Sequence, residues 1–235
     1  MKLSVIIPAH NEEENIEGVI AQIESLLELE YELIVVNDHS TDKTAAVVRE
    51  LRLRFPNLRL VDNPGSKGFA NAVKCGFANA KGELVIPVMG DLCDDLATIK
   101  IMTAKIEDGY DVVCASRYIK GGARLGGSRL KGILSAFAGW SLYCLLGIPT
   151  HDIANAFKMY RKKVLDSINI ESKGFEISME LPLKAYYAGF KITEVPTVWQ
   201  ERKKGKSNFK MFNLAPNYLK FYLWGIKKRI GGGNL

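Results

Sequence analysis

A mostly parallel α/β fold is the class this sequence predicts, and three observations predict it. Short apolar runs recur at Leu3–Ile7, Leu33–Val36, Leu58–Val61 and Glu83–Val88, each ending in polar residues. Runs of that length suit strands buried on both faces. Between them apolar residues return at helical spacing, and strand alternating with helix calls for parallel pairing with right-handed crossovers.

Each element has its own local signal. The first run is closed by Pro8. Asn11, with Glu14 three residues later, has the capping-box pattern ahead of Ile16, Val19, Ile20, Ile23, Leu26 and Leu27. The second run ends at Asn37-Asp38, and Ser40 or Thr41 is placed to cap a helix carrying Ala45, Val48 and Leu51. The third leads through Asn63-Pro64-Gly65-Ser66-Lys67-Gly68 into a helix that continues to Ala80. The fourth ends in Gly90 and three carboxylates, Asp91, Asp94 and Asp95. Asp94 and Asp95 have a plain alternative role as caps of a helix from Leu96; Asp91, nearer the strand end, is the stronger ligand candidate. Asp111–Ala115 reads as a fifth strand and Ala156–Tyr160 as a later one. Leu130–Leu146 reads as an apolar helix closed by Gly147 and Pro149, and Phe209–Ile226 as an aromatic helix running into Lys227-Lys228-Arg229.

In an open α/β sheet, ligands bind beyond the carboxyl ends of the strands. Pro8-Ala9-His10-Asn11-Glu12, Asn37-Asp38, Ser66-Lys67-Gly68 and Gly90-Asp91 each follow a strand, so they gather along one rim. Asp38 can accept the ring N–H of uracil or guanine, Lys67 can sit against phosphate as a point charge, and Gly68 allows close approach of the backbone. Each has a bland alternative as a turn residue. Acids facing a phosphorylated ligand call for a divalent cation between them, since Mg²⁺ takes carboxylate and phosphate oxygens together.

Composition bounds the rest. A chain of 235 residues, 47% hydrophobic, suits one globular domain, divided here into 1–210 and a basic helical tail over 211–235. Lys+Arg 32 against Asp+Glu 26 gives +6, which permits an anionic partner. Cys75, Cys93, Cys114 and Cys144 show no Cys-x-x-Cys spacing, so reduced cytoplasmic thiols are expected. Met1-Lys2 runs straight into a strand, so no signal peptide is expected, and no apolar run nears the ~20 residues of a membrane span. No Gly-x-Gly-x-x-Gly follows Leu3–Ile7, which disfavours a dehydrogenase.

Val5-Ile6-Ile7-Pro8-Ala9-His10-Asn11-Glu12, Val35-Val36-Asn37-Asp38-His39-Ser40-Thr41-Asp42 and Lys67-Gly68-Phe69-Ala70-Asn71-Ala72 resemble the family 2 glycosyltransferases of GT-A fold. Ser116-Arg117-Tyr118, Gly121-Gly122, His151-Asp152, Asn155-Ala156-Phe157 and Arg202-Lys203-Lys204-Gly205-Lys206-Ser207 are similar to its dolichol-phosphate mannosyltransferase branch, so the resemblance runs from Val5 to about Asn208. It implies an inverting transfer from a GDP- or UDP-linked sugar to a polyprenyl phosphate, with Mg²⁺ or Mn²⁺. Pro8, Ala9, His10, Glu12, Val36, Asp38, Lys67, Gly90, Asp91 and Arg202 are then the candidate donor site, Asp91 the candidate metal ligand, and Asp91, Arg117, Asp152 and Glu180 the candidate catalytic residues. The family's Asp-x-Asp aligns with Met89-Gly90-Asp91, its usual Tyr before Asn-Glu is His10, and a polar residue two after the motif is Cys93, so the metal motif is incomplete.

The remaining segments concern the acceptor. Ser116–Ser128 is basic and glycine-rich, and Arg117, Arg129 and Lys206 are the candidate contacts to the acceptor phosphate, since Arg forks match phosphate oxygens. Glu176 and Glu180, four apart, share a helix face and become base candidates with Asp152 if the acceptor is a hydroxyl. The cations of 202–206 can compensate for the missing metal carboxylate. Leu130–Leu146 completes a core or meets a membrane; the aromatic helix before Lys227 suits the interface of a bilayer, at its cytoplasmic face. The alternatives are a hydroxyl acceptor and a catalytically weak nucleotide-binding relative; no nucleic-acid partner is expected.

Overall fold

The structure, a computed structural model, describes residues 2–202 and 211–231. In chain order its strands are β1 (Leu3–Ala9), β2 (Tyr31–Asn37), β3 (Leu58–Asp62), β4 (Leu84–Pro87), β5 (Val112–Ser116), β6 (Ala123–Leu125), β7 (Lys158–Arg161), β8 (Ile192–Pro196) and β9 (Val198–Gln200). The helices are α1 (Ile16–Leu26), α2 (Thr44–Leu51), α3 (Phe69–Asn79), α4 (Thr98–Glu107), α5 (Arg129–Leu146), α6 (Lys162–Ser167), α7 (Ile177–Tyr187) and α8 (Met211–Ile230).

The main sheet runs β3-β2-β1-β4-β7-β5-β8. Its neighbours are parallel except at β7, which lies antiparallel between β4 and β5. The expected strand at 156–160 thus exists, shifted to Lys158, but interrupts the parallel order. The reason is the path of the chain: it leaves the sheet at the carboxyl end of β5, builds β6 and α5 beyond that rim, and re-enters from the same rim. A separate parallel pair, β6 with β9, stands over the rim.

Alternation along β1 divides the core. Leu3, Val5 and Ile7 pack with Ile16 and Ile20 of α1 and with Ile99 and Met102 of α4. Ile6, with Ile34 and Val36 of β2, packs on Val73 and Phe77 of α3 and on Ile177 and Leu181 of α7. A third cluster, Leu142, Leu146, Met179, Leu183 and Phe221, joins α5, α7 and α8. Each such side chain contributes about 1.5–3 kcal/mol by leaving water, so the two sheet layers fix the rim while α5 and α8 share a smaller core. At Gly139, a side chain on α5 would overlap the His151 carbonyl, so the helix lies flush on the loop before β7.

Two expected caps have other employment. Asn11, at φ 55, accepts the Thr41 N–H (2.8 Å) and so ties two rim loops together, while α1 begins only at Ile16. Neither Ser40 nor Thr41 caps α2; Asp42 accepts the Thr44 N–H at 2.9 Å instead. Beyond β4, Asp95 does act as a cap, accepting the Ala97 N–H (3.1 Å), whereas Asp94 turns back and accepts the Met89 N–H (3.4 Å).

Candidate active site

One cleft of about 1190 Å³ opens along the carboxyl rim, and Pro8, Ala9, His10, Glu12, Asp38, Lys67, Asp91, Arg117 and Arg202 all line it. Asp38 is organised from three sides. Its carboxylate accepts from Asn63 Nδ2 (2.7 Å) and from the Gly68 N–H (2.9 Å), and His10 Nδ1 lies 2.7 Å from its carbonyl oxygen. It is thus a fixed acceptor at one end of the cleft. Lys67 is exposed at the mouth. At Gly68 a side chain would crowd the Lys173 carbonyl at 3.1 Å, so the start of α3 needs glycine.

At the end of β4 two of the acids already share a cation. Arg202 Nη2 lies 2.9 Å from Asp91 Oδ2 and 3.2 Å from Glu12 Oε1. The second oxygen of Asp91 accepts the Cys93 N–H (3.2 Å) and that of Glu12 accepts from Asn15 (2.9 Å). Burial raises the Glu12 carboxyl above its ordinary range. Burial, then the charge of Asp91, pushes Asp94 up to about 7 and also drives the Cys93 thiol up, keeping it protonated. Among the described residues, no three His, Cys, Asp or Glu side chains come together as a metal-ligand group. The donor types point the same way: Met89 and Cys93 offer soft sulfur where a hard cation wants oxygen. The residues present therefore do not fit an all-protein metal cage.

The middle of the cleft is set by Arg117. Its Nε and Nη2 grip Asp152 at 2.6 and 2.8 Å, its backbone N–H meets the same carboxylate at 3.0 Å, and Nη2 also donates to Ser135 (3.2 Å). Burial opposes the charge of Arg117, but Asp152 overrides it and holds the guanidinium above its ordinary range. Asp152 is fully buried behind this fork, with both carboxylate oxygens on the Arg117 guanidinium. Arg124, stacked on Trp199 at 5.0 Å, and Lys131 complete a basic wall. Further along, Leu134, Phe137 and Ala138 of α5 face Leu214, Leu219 and Tyr222 of α8, and the cleft becomes apolar. Ile133, Phe137 and Trp140 are more than half exposed.

Several expected site residues lie elsewhere. Val36 is fully buried among Ile6 and Ile34, where its β-branched side chain belongs to the core. Gly90 is buried against Glu12, Ile7 and Pro8 beneath the rim. Glu180 has no exposure: it accepts the Glu171 and Ser172 N–H groups (2.7 and 2.8 Å) and pairs with Lys184 at 2.6 Å, so its role is to pin the segment before α7. Glu176, at the start of α7, accepts the Lys173 and Gly174 N–H groups, both at 3.0 Å. Arg129 is exposed away from the wall. Lys206, with the rest of 203–210, lies outside the described residues.

Sequence reasoning counted Arg124 and Lys131 among the basic residues of this stretch but preferred Arg129, and it missed Ser135 and Trp199. A signal existed for Lys131 and Ser135. With Ser128 capping α5, residues 131, 134, 135 and 138 fall on one face, and all four line the cleft.

The profile described as "Glycosyl transferase family 2" matches residues 4–168. A dolichol-phosphate mannosyltransferase of Pyrococcus furiosus is 32% identical over 215 residues, 89% of this chain and 60% of that protein. This chain therefore spans less than two thirds of that relative's length. A polyprenol monophosphomannose synthase of Mycolicibacterium smegmatis is 29% identical over 233 residues, 96% of this chain and 88% of the relative. Among solved structures, glucosyl-3-phosphoglycerate synthase from Mycobacterium tuberculosis, in complex with Mn²⁺, UDP and glucosyl-3-phosphoglycerate, superposes with a TM-score of 0.70 at 22% identity. That match covers 96% of this chain and 80% of the other. S. aureus TarS 1–349 in complex with UDP-GlcNAc gives 0.69 at 20% identity, over 97% and 67%. At such identities the two structures speak for the fold alone. Among the described residues no helix is long and apolar enough to cross a membrane.

Proposed function

The chain belongs to glycosyl transferase family 2 and has the GT-A fold, and from that premise we propose that it moves a sugar from a GDP- or UDP-linked donor to a polyprenyl phosphate, inverting the anomeric carbon. The observation that carries this reading is the change of character along the cleft. A rim of fixed acceptors and cations passes through Arg117, Lys131 and Ser135 into a groove walled by Leu134, Phe137, Leu219 and Tyr222. A phosphate with a hydrocarbon tail has that same order of charge and grease. The names of the Pyrococcus and Mycolicibacterium relatives support the same acceptor class.

The chemistry asks little of a base. A phosphate monoester is largely dianionic at neutral pH, its second pKa being about 6. An acceptor oxygen attacks the anomeric carbon in line, the bond to the nucleoside diphosphate breaks, and no proton has to move. Arg117 holds the nucleophile without giving it a proton, and Asp152 keeps that guanidinium aimed. Lys67 and Arg202 meet the charge growing on the leaving diphosphate. Asp38 accepts from the base; were an Mg²⁺ or Mn²⁺ ion to accompany the diphosphate, Asp91 is the side chain that would hold it.

The outer faces of α5 and α8 would rest on a membrane, placing the groove mouth at the lipid on its cytoplasmic side. Exposed Ile133, Phe137 and Trp140 supply apolar area, and Lys227, Lys228 and Arg229 add about 1 kcal/mol each at an anionic leaflet. In this reading the segment 211–235 serves as the basic contact unit of the catalytic domain. The test is to supply radiolabelled GDP-mannose or UDP-glucose with polyprenyl phosphate in anionic vesicles, and in parallel with soluble hydroxyl acceptors. Label should enter the lipid fraction; label reaching only soluble hydroxyls would overturn the acceptor assignment.

A further inference from the structure

The acid seat at the end of β4 holds a cation that the chain brings with it. One nitrogen, Arg202 Nη2, stands between Asp91 Oδ2 and Glu12 Oε1 at 2.9 and 3.2 Å, and all three side chains are largely buried. This pair is not the accident of a waving surface arginine. Arg202 follows β9, whose Trp199 bridges to Asp94 and whose Gln200 N–H donates to the Cys93 carbonyl (3.0 Å). The next residue, Glu201, donates its N–H to Leu125 (2.9 Å) on β6. A strand paired on both sides therefore delivers the guanidinium from 111 residues away onto the acid that follows Met89-Gly90. At the same place the divalent ligands are poor: a thioether at 89, a thiol at 93, and an Asp91 whose two oxygens already have partners.

We propose that Arg202 is the resident cation of this site, and that it neutralises the donor's diphosphate so that nucleotide binding needs no divalent metal. The proposal rests on reading the cleft as the donor site. A guanidinium presents N–H donors in a rigid fork that matches phosphate oxygens in two-point contact. Glu12 and Asp91 are then the brackets that hold the guanidinium in place, and the methionine at 89 removes the acid that would have favoured a metal ion over it.

Titration calorimetry of the full chain with GDP and with UDP, each in EDTA and in Mn²⁺, tests this. The wild-type dissociation constant for the nucleotide that binds should differ by less than threefold between the two conditions. Arg202→Gln should weaken binding at least tenfold in EDTA and regain part of it in Mn²⁺, because Asp91 and Glu12 become available to the ion. Arg202→Lys, which keeps a point charge, should fall between the two, and matching thermal unfolding curves show that the variants are folded. A wild-type chain that loses tenfold or more in EDTA, or an Arg202→Gln chain that binds normally there, overturns the resident cation while leaving the donor site intact. If neither nucleotide binds under any condition, the donor reading itself falls, and this proposal with it.

Discussion

The rim beyond β1, β2 and β4 and the groove between α5 and α8 are parts of one cleft built on opposite principles. On the rim, polar side chains are held by other polar groups: Asp38 by Asn63 and Gly68, Glu12 by Asn15 and Arg202. Such dipoles are in place before a ligand arrives and cost no reorganisation when charge develops. In the groove the lining from α5 and α8 is mostly apolar. Leu134, Phe137 and Leu219 offer exposed area, which attracts any apolar chain without direction. Under the proposed function, specificity belongs to the rim and affinity for a lipid to the groove, with Arg117 at the seam.

The sharpest way to break this division is at that seam. Arg117→Ala leaves Asp152 fully buried without its partner, and breaking a buried pair costs about 3–5 kcal/mol. Urea unfolding should show that loss, and the double variant Arg117→Ala/Asp152→Leu should recover much of it while remaining unable to use a phosphate acceptor. A stability change below about 1 kcal/mol in the single variant would mean that the seam is solvated and the two regions are independent.

A smaller effect separates acids that face ligand from acids that hold the fold. Glu180→Gln weakens contacts to two backbone N–H groups and Lys184, so a loss of about 1–3 kcal/mol in unfolding is expected, with turnover per folded molecule unchanged. Normal stability with turnover reduced a hundredfold would return Glu180 to the chemistry.

The smallest effect sharpens the picture of the rim. Asp94 holds its proton up to about pH 7 in the folded chain, first because it is buried and then because Asp91 is near. The unfolded chain releases that proton near the ordinary value of 3.8. Between these values the folded state binds more protons, so the contribution of Asp94 to stability falls as pH rises from about 4 to about 7. Comparing melting temperature against pH for wild type and Asp94→Asn isolates it: the downward slope should flatten in the variant. Parallel curves would place Asp94 in water.

How legible each region was follows from the same contrast. The strands of the rim are written as continuous apolar runs because both faces of β1, β2 and β4 are covered, and the polar residues that follow them need only a count along the chain. β6 and β9 are three residues each and half exposed, so no run marks them. The reversal of β7 depends on where the chain re-enters the sheet, which no local pattern records. Arg129 and Lys131 look equivalent until Ser128 fixes the phase of α5. Glu180 reads as a candidate base, because a carboxylate buried on backbone N–H groups has the same letter as one facing a substrate. The contact of Arg202 with Asp91 spans 111 residues and has no sequence signature.

Gly139 turns this architecture into a gauge. Because the missing methyl lets α5 press its backbone against the carbonyl of His151, next to the residue that steadies Arg117, the helix cannot roll without lifting off that loop. The spacing between the guanidinium and the first greasy side chains of α5 is therefore set by backbone contact, not by adjustable side chains. An alanine there would wedge the wall outward and, for the proposed lipid phosphate, detune how far the head group stands from the start of its tail.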